Sequence, residues 1–565
     1  MKSVLFNHRV FGFCAPALLL ALALGSGCIV VSNPTGPSGA GGTTSNGGTG
    51  NFDPGGPVIS NPENTDPNSK VDQLPVSKNC EHCHTNIFKE WSDSAHARAI
   101  TSPATVAENN ALFRVELKDQ PGPDPKQFCV NCHSPIVTAT ALTNTMSQNA
   151  TLPFNAPNLD ASARSEGVGC TTCHSYTGSP QRSVGGLAFF QTKFDLSGTV
   201  FYGPFDDAVD NSAHKARSLP TFRQDSAQQL CINCHNVFYD LNNDGKFDKP
   251  VVGEDLILQN TSAEFDQYVA NGNTDKTCID CHMPVNNGVT RVAEGAKIGS
   301  DEQKIQAPIR QVRSHKFVGV DYPLDDTPDL SHSERETMLK NGVTMDNPVL
   351  NFNKNNGHLD FDVVLTNQQT GHNFPTGFAF SRQLFVEVVI TDQNNKFLDG
   401  SGRLLSTTDD LCDQTTLLGA FGPSLSNCPT ADLQLVNLQL ELVSAVKKGI
   451  DPLGNNGVVI DDGEGGGNET VIQNLHGGAV IRVRPSDKKA LNPLAPNEKR
   501  SYHYSFVVQG QGGKLHVTTR LRFRNLPPYF LRALRDLSPE QDKDLTKAIS
   551  KLDIITITEV TQDVQ

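Results

Sequence analysis

The sequence predicts an α + β protein of two domains: a mainly helical and loop domain built on a repeated Cys-x-x-Cys-His motif, then a β-sandwich with a C-terminal helix. Three observations predict it. Five copies of the motif stand between residues 80 and 282. Beyond Gly357 the apolar residues alternate with the period of half-buried strands. Ahead of both, residues 28–73 are rich in Gly, Ser, Pro and Asn and offer almost nothing to bury. The expected order is therefore a leader at 1–27, a flexible tether at 28–73, the motif domain at 74–345 and the β domain at 346–565.

Lys2 and Arg9 form a basic segment around the start of the chain, and Ala15–Leu24 is an apolar run too short to span a bilayer. That pattern predicts a signal peptide. It ends in Leu24-Gly-Ser-Gly-Cys28, similar to a bacterial lipoprotein box, although Gly25 stands where the leucine usually does. Lipidation of Cys28 is expected, with ordinary cleavage nearby and a stray thiol as the alternative. No second apolar stretch is long enough to span, so the mature protein is expected to be soluble or lipid-anchored. A coil of this composition reaches roughly 35 Å on average over about 40 residues, enough to hold a domain clear of a membrane surface. The formal net charge of −14 argues against a nucleic-acid partner. Hydrophobic content is only 37% with a single tryptophan, so something other than side chains is expected to fill the core of the motif domain.

The motifs are Cys80-Glu-His-Cys83-His84, Cys129-Val-Asn-Cys132-His133, Cys170-Thr-Thr-Cys173-His174, Cys231-Ile-Asn-Cys234-His235 and Cys278-Ile-Asp-Cys281-His282. In each, two thiols can form thioethers to the vinyl groups of one haem, and the adjacent histidine reaches the iron from the proximal side. Zinc needs paired Cys-x-x-Cys knuckles, and an odd number leaves one unmatched. A thioredoxin-like redox site needs a βαβ context that is missing. Five haems c are therefore expected, and their macrocycles supply the missing core. Between the motifs the sequence shows no strong β alternation. Short helices and loops are expected, among them Ile87–Ala99 and Ala227–His235.

The cysteines fall into place around this assignment. Of fourteen, ten belong to the motifs and Cys14 and Cys28 to the leader, which leaves Cys412 and Cys428. In an exported protein that pair is expected to form a disulfide. Between the fourth and fifth motifs, Asp240, Asn242, Asp244 and Asp248 with Gly245 match the opening of an EF-hand loop. Val251 stands where the bidentate glutamate belongs, so an Asx-rich turn is the alternative to a calcium site. The acidic, glycine-rich stretch 461–468 reads as a solvated loop.

In the second half, His358–Thr366, Gln383–Thr391, Val480–Arg484, Ser501–Val508 and Lys514–Phe523 alternate as strands, and short strands with Gly, Asn and Asp turns argue for a sandwich. A helix is expected over Pro539–Lys551, with Ser538 as N-cap and Pro539 at the first position. A last strand is expected at Ile554–Val560.

Ten histidines remain as ligands for the distal face of the irons: His82, His96, His214, His315, His332, His358, His372, His476, His503 and His516. Four stand in suggestive settings: Trp91-Ser-Asp-Ser-Ala-His96-Ala97, Asn211-Ser-Ala-His214, Ser314-His315-Lys-Phe317 and Gly371-His372-Asn-Phe-Pro-Thr-Gly377 followed by Arg382-Gln-Leu-Phe-Val-Glu-Val388. At these residues the chain resembles multihaem c-type cytochromes related to the tetrahaem cytochrome of ammonia oxidation and to hydroxylamine oxidoreductase. That group uses W-x-x-S-x-H-A and S-H-x-F segments for distal ligands. The G-H-x-F-P-T-G segment recurs in bacterial multihaem proteins that carry a C-terminal β domain. The resemblance covers about Lys78 to Leu531 and implies bis-histidine haems in close-packed pairs, with His96, His214, His315 and His372 as distal ligands. His503 and His516 lie in expected strands and read as structural. His82 reads as a variable position inside its motif, and His332, His358 and His476 stay open.

Four distal ligands for five haems leave one iron unexplained. The leading expectation is an electron carrier of the periplasm or outer membrane, or a surface-facing lipoprotein, exchanging electrons with protein donors and acceptors such as other cytochromes. The rival is an enzyme acting on a small nitrogen or sulfur oxyanion at one five-coordinate haem. Pentahaem nitrite reductase usually carries one motif ending in lysine, whereas all five here end in histidine. A third reading has the β-sandwich binding a partner or polymer.

Overall fold

The computed structural model describes residues 76–115, 126–136, 307–412, 493–508 and 513–565 throughout, most of 166–240, 255–297 and 428–447, and short strands at 304–305, 458–459 and 469–472. The expected leader, Cys28, the tether up to residue 73, His476, the 461–468 loop and the Val480–Arg484 strand lie outside the described residues. So do the calcium-loop residues Asn242, Asp244 and Asp248 and the side chain of Asp240. The chain divides into two units, Met1–Ser69 with Val446–Thr470, and Lys70–Ala445 with Val471–Gln565. All elements discussed below belong to the second.

In the first half several of the helices are built on the motifs. The 3-10 turn Ser77–Cys80 runs into the first motif, where the His84 N–H donates to Cys80 O at 2.9 Å. The helices that follow are α1 (Thr85–Ser92), α2 (Pro103–Val115), α3 (Lys126–His133), α4 (Cys170–His174), α5 (Gln228–Ile232), α6 (Thr261–Ala270), α7 (Cys278–His282) and α8 (His332–Gly342). Each motif thus forms about one helical turn, and positions i, i+3 and i+4 of a turn share a face. Both cysteines and the histidine are thereby aimed one way. α7 is fixed by a capping box in which the Thr277 N–H donates to Asp280 Oδ2 at 2.9 Å.

Two expected helices come out shorter. The Ile87–Ala99 helix stops at Ser92 and continues as turns to Thr101. The guanidinium of Arg98 donates to Ser92 O and Asp93 O, satisfying the terminal carbonyls of α1 in place of further helix. The Ala227–His235 helix is reduced to Gln228–Ile232 among the described residues. Strands accompany the expected helices and loops in this half. The strands Gln181–Val184, Leu187–Phe190, Asn236–Asp240 and Asp255–Asn260 form an antiparallel sheet, and Val200–Gly203 pairs in parallel with Lys215–Ser218. Strands of four to six residues are too short to announce themselves by period-two alternation.

The second half holds two four-stranded sheets. Strand β3 (His358–Asn367) carries β1 (Val343–Met345) and β2 (Asn351–Asn353) on one edge and β6 (Lys499–Val507) on the other. The second sheet runs in the order β5 (Phe397–Ser401), β4 (Gln383–Asp392), β7 (Leu515–Arg524), β8 (Ile555–Val564). Leu359, Phe361, Val363 and Leu365 of β3 share one hydrophobic core with Leu384, Val386, Val388 and Ile390 of β4 and with Val517 and Leu521 of β7. The alternation read from sequence sets the inward residues of β3 and β7. Cys412 and Cys428 are joined by a disulfide with a Cα–Cα distance of 5.2 Å.

The expected C-terminal helix forms as a 3-10 turn that runs into a helix, and a further helix precedes it. α9 (Pro528–Leu537) precedes the 3-10 turn Pro539–Gln541, and α10 is Asp542–Ser550. Ser538 ends α9, its N–H donating to Leu534 O at 2.8 Å, and its hydroxyl donates to Ala107 O of α2 instead of capping a following helix. α9 and α10 pack with α2 around Ala104, Ala107, Phe530, Leu531, Leu534, Leu545 and Ala548. A helix of the motif region is thereby bolted to the C-terminal helices.

Candidate haem cavity

One continuous cavity of about 2420 Å³ runs through the motif region. Residues of all five motifs line it, as do His96, His214, His315 and His372, whereas His82, His332, His358, His503 and His516 do not. The side chain of Cys129 lies outside the described residues. Three of the excluded histidines are occupied elsewhere. His503 Nδ1 meets Asp362 at 2.8 Å, His516 meets Asp563, and His332 lies 3.0 Å from the Arg335 guanidinium.

Four pairs of histidine rings face one another across this cavity. Ring centroids are 6.3 Å apart for His84 and His214, 6.5 Å for His174 and His315, 6.4 Å for His235 and His96, and 6.3 Å for His282 and His372. Two imidazoles bound to one first-row metal ion from opposite sides, each through a bond of about 2.0–2.1 Å, have centroids roughly 6.3 Å apart. The rings of each pair are separated by a distance that would admit such an ion between them. Each pair joins one motif histidine to one histidine from a distal segment. Among the described residues, no histidine ring stands in this relation to His133.

The other ring nitrogen of each motif histidine is held by the protein. Nδ1 of His84 donates to Val292 O at 2.6 Å, that of His133 to Ala99 O at 2.8 Å, that of His174 to Tyr202 O at 2.6 Å, and that of His282 to Val318 O at 2.8 Å. Such bonds fix the tautomer and leave the Nε2 lone pair for a metal. His235 differs, its Nδ1 lying 3.0 Å from the side-chain amide of Gln259. On the distal side, His315 Nδ1 donates to Arg313 O at 2.9 Å and His372 Nδ1 to Asn373 O at 2.8 Å. Burial favours the neutral form at seven of these rings. It lowers His96 to about 3 and His174, His235 and His372 to about 4, and it also lowers His133, His214 and His315. A neutral imidazole is the form that ligates.

Local structure explains how the distal histidines arrive. Trp91 Nε1 donates to Val168 O and Val168 N to His96 O, both at 2.9 Å, so the segment before α4 clamps the turn that carries His96. Gly167 is required there, because a Cβ would stand 2.2 Å from His96 O. His214 precedes the strand Lys215–Ser218, whose partner strand supplies the Tyr202 carbonyl to His174. The His315 N–H donates to Glu90 Oε2 of α1 at 2.9 Å. Gly371 has φ +68°, a left-handed conformation that favours glycine, and its Cβ position lies 3.4 Å from the Phe265 ring of α6. Glu264 of α6 accepts from Asn373 N at 3.1 Å and from the Thr376 hydroxyl. His372 is thus pinned between the motif region and the sheets.

The motifs also lie against one another. Cys80 lies beside Cys170, Cys132 beside Cys234, and Cys231 beside Cys278. The backbone acceptors and Gln259 had no signal in the sequence, since any residue can present a carbonyl and an isolated glutamine has no motif.

Residues 79–175 match the family described as cytochrome c554 and c-prime. Comparison with the curated proteins gives no significant match. Among solved structures, a penta-heme cytochrome c552 from Thermochromatium tepidum is similar at 17% identity, covering 87% of this chain and 99% of that one, with a TM-score of 0.47. The family match contains the first three attachment motifs and covers a minority of the chain.

Proposed function

We propose that this chain carries electrons along five covalently bound haems c. Each haem is attached through the two cysteines of one motif and ligated by His84, His133, His174, His235 or His282. His214, His315, His96 and His372 take the distal positions of the first, third, fourth and fifth sites. The observation that carries the reading is the set of four opposed histidine pairs at 6.3–6.5 Å. A bis-histidine iron has no free coordination position for a substrate and exchanges electrons; ligand identity, burial and hydrogen bonds set its potential. The protein's part is to hold neutral imidazoles rigidly and to keep the cavity dry.

In this reading residues 74–345 are the haem domain and 346–565 a β-sandwich domain with C-terminal helices, the second supplying His372 to the first. An exported protein, anchored through lipidated Cys28 on a tether and facing redox proteins of the periplasm or outer membrane, follows from the N-terminal sequence. Calcium at Asp240, Asn242, Asp244 and Asp248 rests on ligand spacing alone.

A second reading is favoured by His133, which has no facing histidine among the described residues. An iron there with an open position would bind a small nitrogen or sulfur oxyanion and make the chain an oxidoreductase. One experiment separates the two. Mass spectrometry of the mature protein should show five haem additions, and the ferric electron paramagnetic resonance (EPR) spectrum should show at least four low-spin haems. Fewer than four would overturn the carrier reading. A fifth, high-spin signal that shifts on adding nitrite or hydroxylamine would establish the second.

A further inference from the structure

The contacts among the ligand residues divide the array into two groups. His84 and His214 neighbour His174 and His315 electrostatically, and their motifs touch through Cys80 and Cys170. His96 is likewise close to His235, His282 and His133, and those motifs touch through Cys132 with Cys234 and Cys231 with Cys278. One aromatic ring reaches ligands of both groups. Phe317 stands edge-on to His96 at 4.6 Å and edge-on to His315 at 5.8 Å.

The backbone around it is unusual. Phe317 has φ +47°, a left-handed conformation that a bulky residue adopts only where its surroundings impose it. Its neighbours show what is gained. Two residues earlier is His315, opposite His174; one residue later the Val318 carbonyl accepts from His282 Nδ1. Residues 315–318 therefore serve three ligand pairs, and the left-handed turn lets one short segment face both groups. Across the same boundary, Cys173 feels the neighbouring Cys234.

We propose that Phe317 is the positioning residue at the junction of the two groups: its ring orients the imidazoles of His96 and His315 and closes the space between the third and fourth haem sites, so that electrons cross between groups there. The proposal rests on the carrier reading. Edge-to-face packing of this kind fixes ring planes, and the orientation of an axial imidazole is read in the low-field g value of its low-spin haem.

The test uses the full-length, haem-loaded protein and the variants Phe317→Leu, Phe317→Gly and Phe317→Tyr. Leucine and glycine remove the ring, glycine tolerates the left-handed backbone, and tyrosine keeps the ring. The low-field EPR signals of two low-spin haems should shift in the leucine and glycine variants, the others staying in place, and tyrosine should restore the wild-type spectrum. After partial photoreduction, electron equilibration between the groups should slow severalfold in the ring-less variants, with equilibration within each group unchanged. Wild-type signals and wild-type equilibration in both ring-less variants would overturn the proposal. A wild-type protein with fewer than four low-spin haems would instead overturn the reading beneath it.

Discussion

Each motif imidazole faces two ways, and the hydrogen-bond acceptor behind it tunes what the front can do. Four of the five donate Nδ1–H to a backbone carbonyl; His235 alone faces a side-chain amide, that of Gln259. A ligating His235 must carry its proton on Nδ1, so Gln259 must turn its carbonyl oxygen toward the ring. This acceptor gives the ring partial anionic character and favours ferric iron. Gln259→Leu should therefore raise the potential of that haem, by about 1 kcal/mol or a few tens of millivolts; Gln259→Glu should lower it. Potentiometric titration followed by EPR assigns the shift to one haem. His372 permits a coarser test. Removing it in His372→Ala should convert one low-spin haem to high-spin. It also removes the ring that the second half places opposite His282, so proteolysis should quicken near Asn351–Asn356. An unchanged ferric spectrum would make His372 an ordinary loop histidine.

At the scale of elements, β4 carries a charge where its neighbours are apolar. Glu387 is 3% exposed and sits between Val386 and Val388, both fully buried. Its carboxylate accepts from Arg520 Nη1 at 3.1 Å and Arg522 Nη1 at 3.2 Å across the β4–β7 ladder. Glu387→Ala leaves two guanidiniums facing each other, and a loss of about 3 kcal/mol is expected from breaking a buried pair. A lower urea midpoint with unchanged haem content would bear this out. The same strand shows what was legible beforehand. β3, β4, β6 and β7 announce themselves by alternation, and their bounds fall within two residues of the pattern. The cysteine motifs announce themselves by chemistry. What stayed hidden depends on contacts distant in sequence. α1 ends at Ser92 because Arg98 folds back on it, and α9 went unpredicted because the partners that hold it lie in α2. The short strands of the motif region had no periodicity to display.

Across the whole molecule, the docking of α2 against α9 and α10 has an electrostatic consequence. It sets Glu108 into the wall of the haem cavity with no hydrogen bond to it among the described residues. Burial pushes its carboxyl up to about 7, against a smaller opposing pull from Arg382, which is itself tied to Asp321 at 3.0 Å and Asn525. Two linked effects follow. The folded state binds this proton more tightly than the unfolded chain. The group's contribution to stability is therefore full below the ordinary carboxylate range, and it is lost as pH rises through about 7. Reduction of an iron held in this cavity would remove a positive charge and tighten the proton further, so that reduction and proton uptake would favour one another. The midpoint of the responsive haem should fall by roughly a few tens of millivolts as pH rises across neutrality, the size of one interaction at an effective dielectric near 20. Glu108→Gln should flatten that dependence and remove the stability loss above pH 7. Redox titrations of wild type and variant on either side of neutrality would decide it. Parallel pH dependences in the two proteins would assign the linkage to another group, and the sealing of α2 onto the C-terminal helices would then have no electrostatic role.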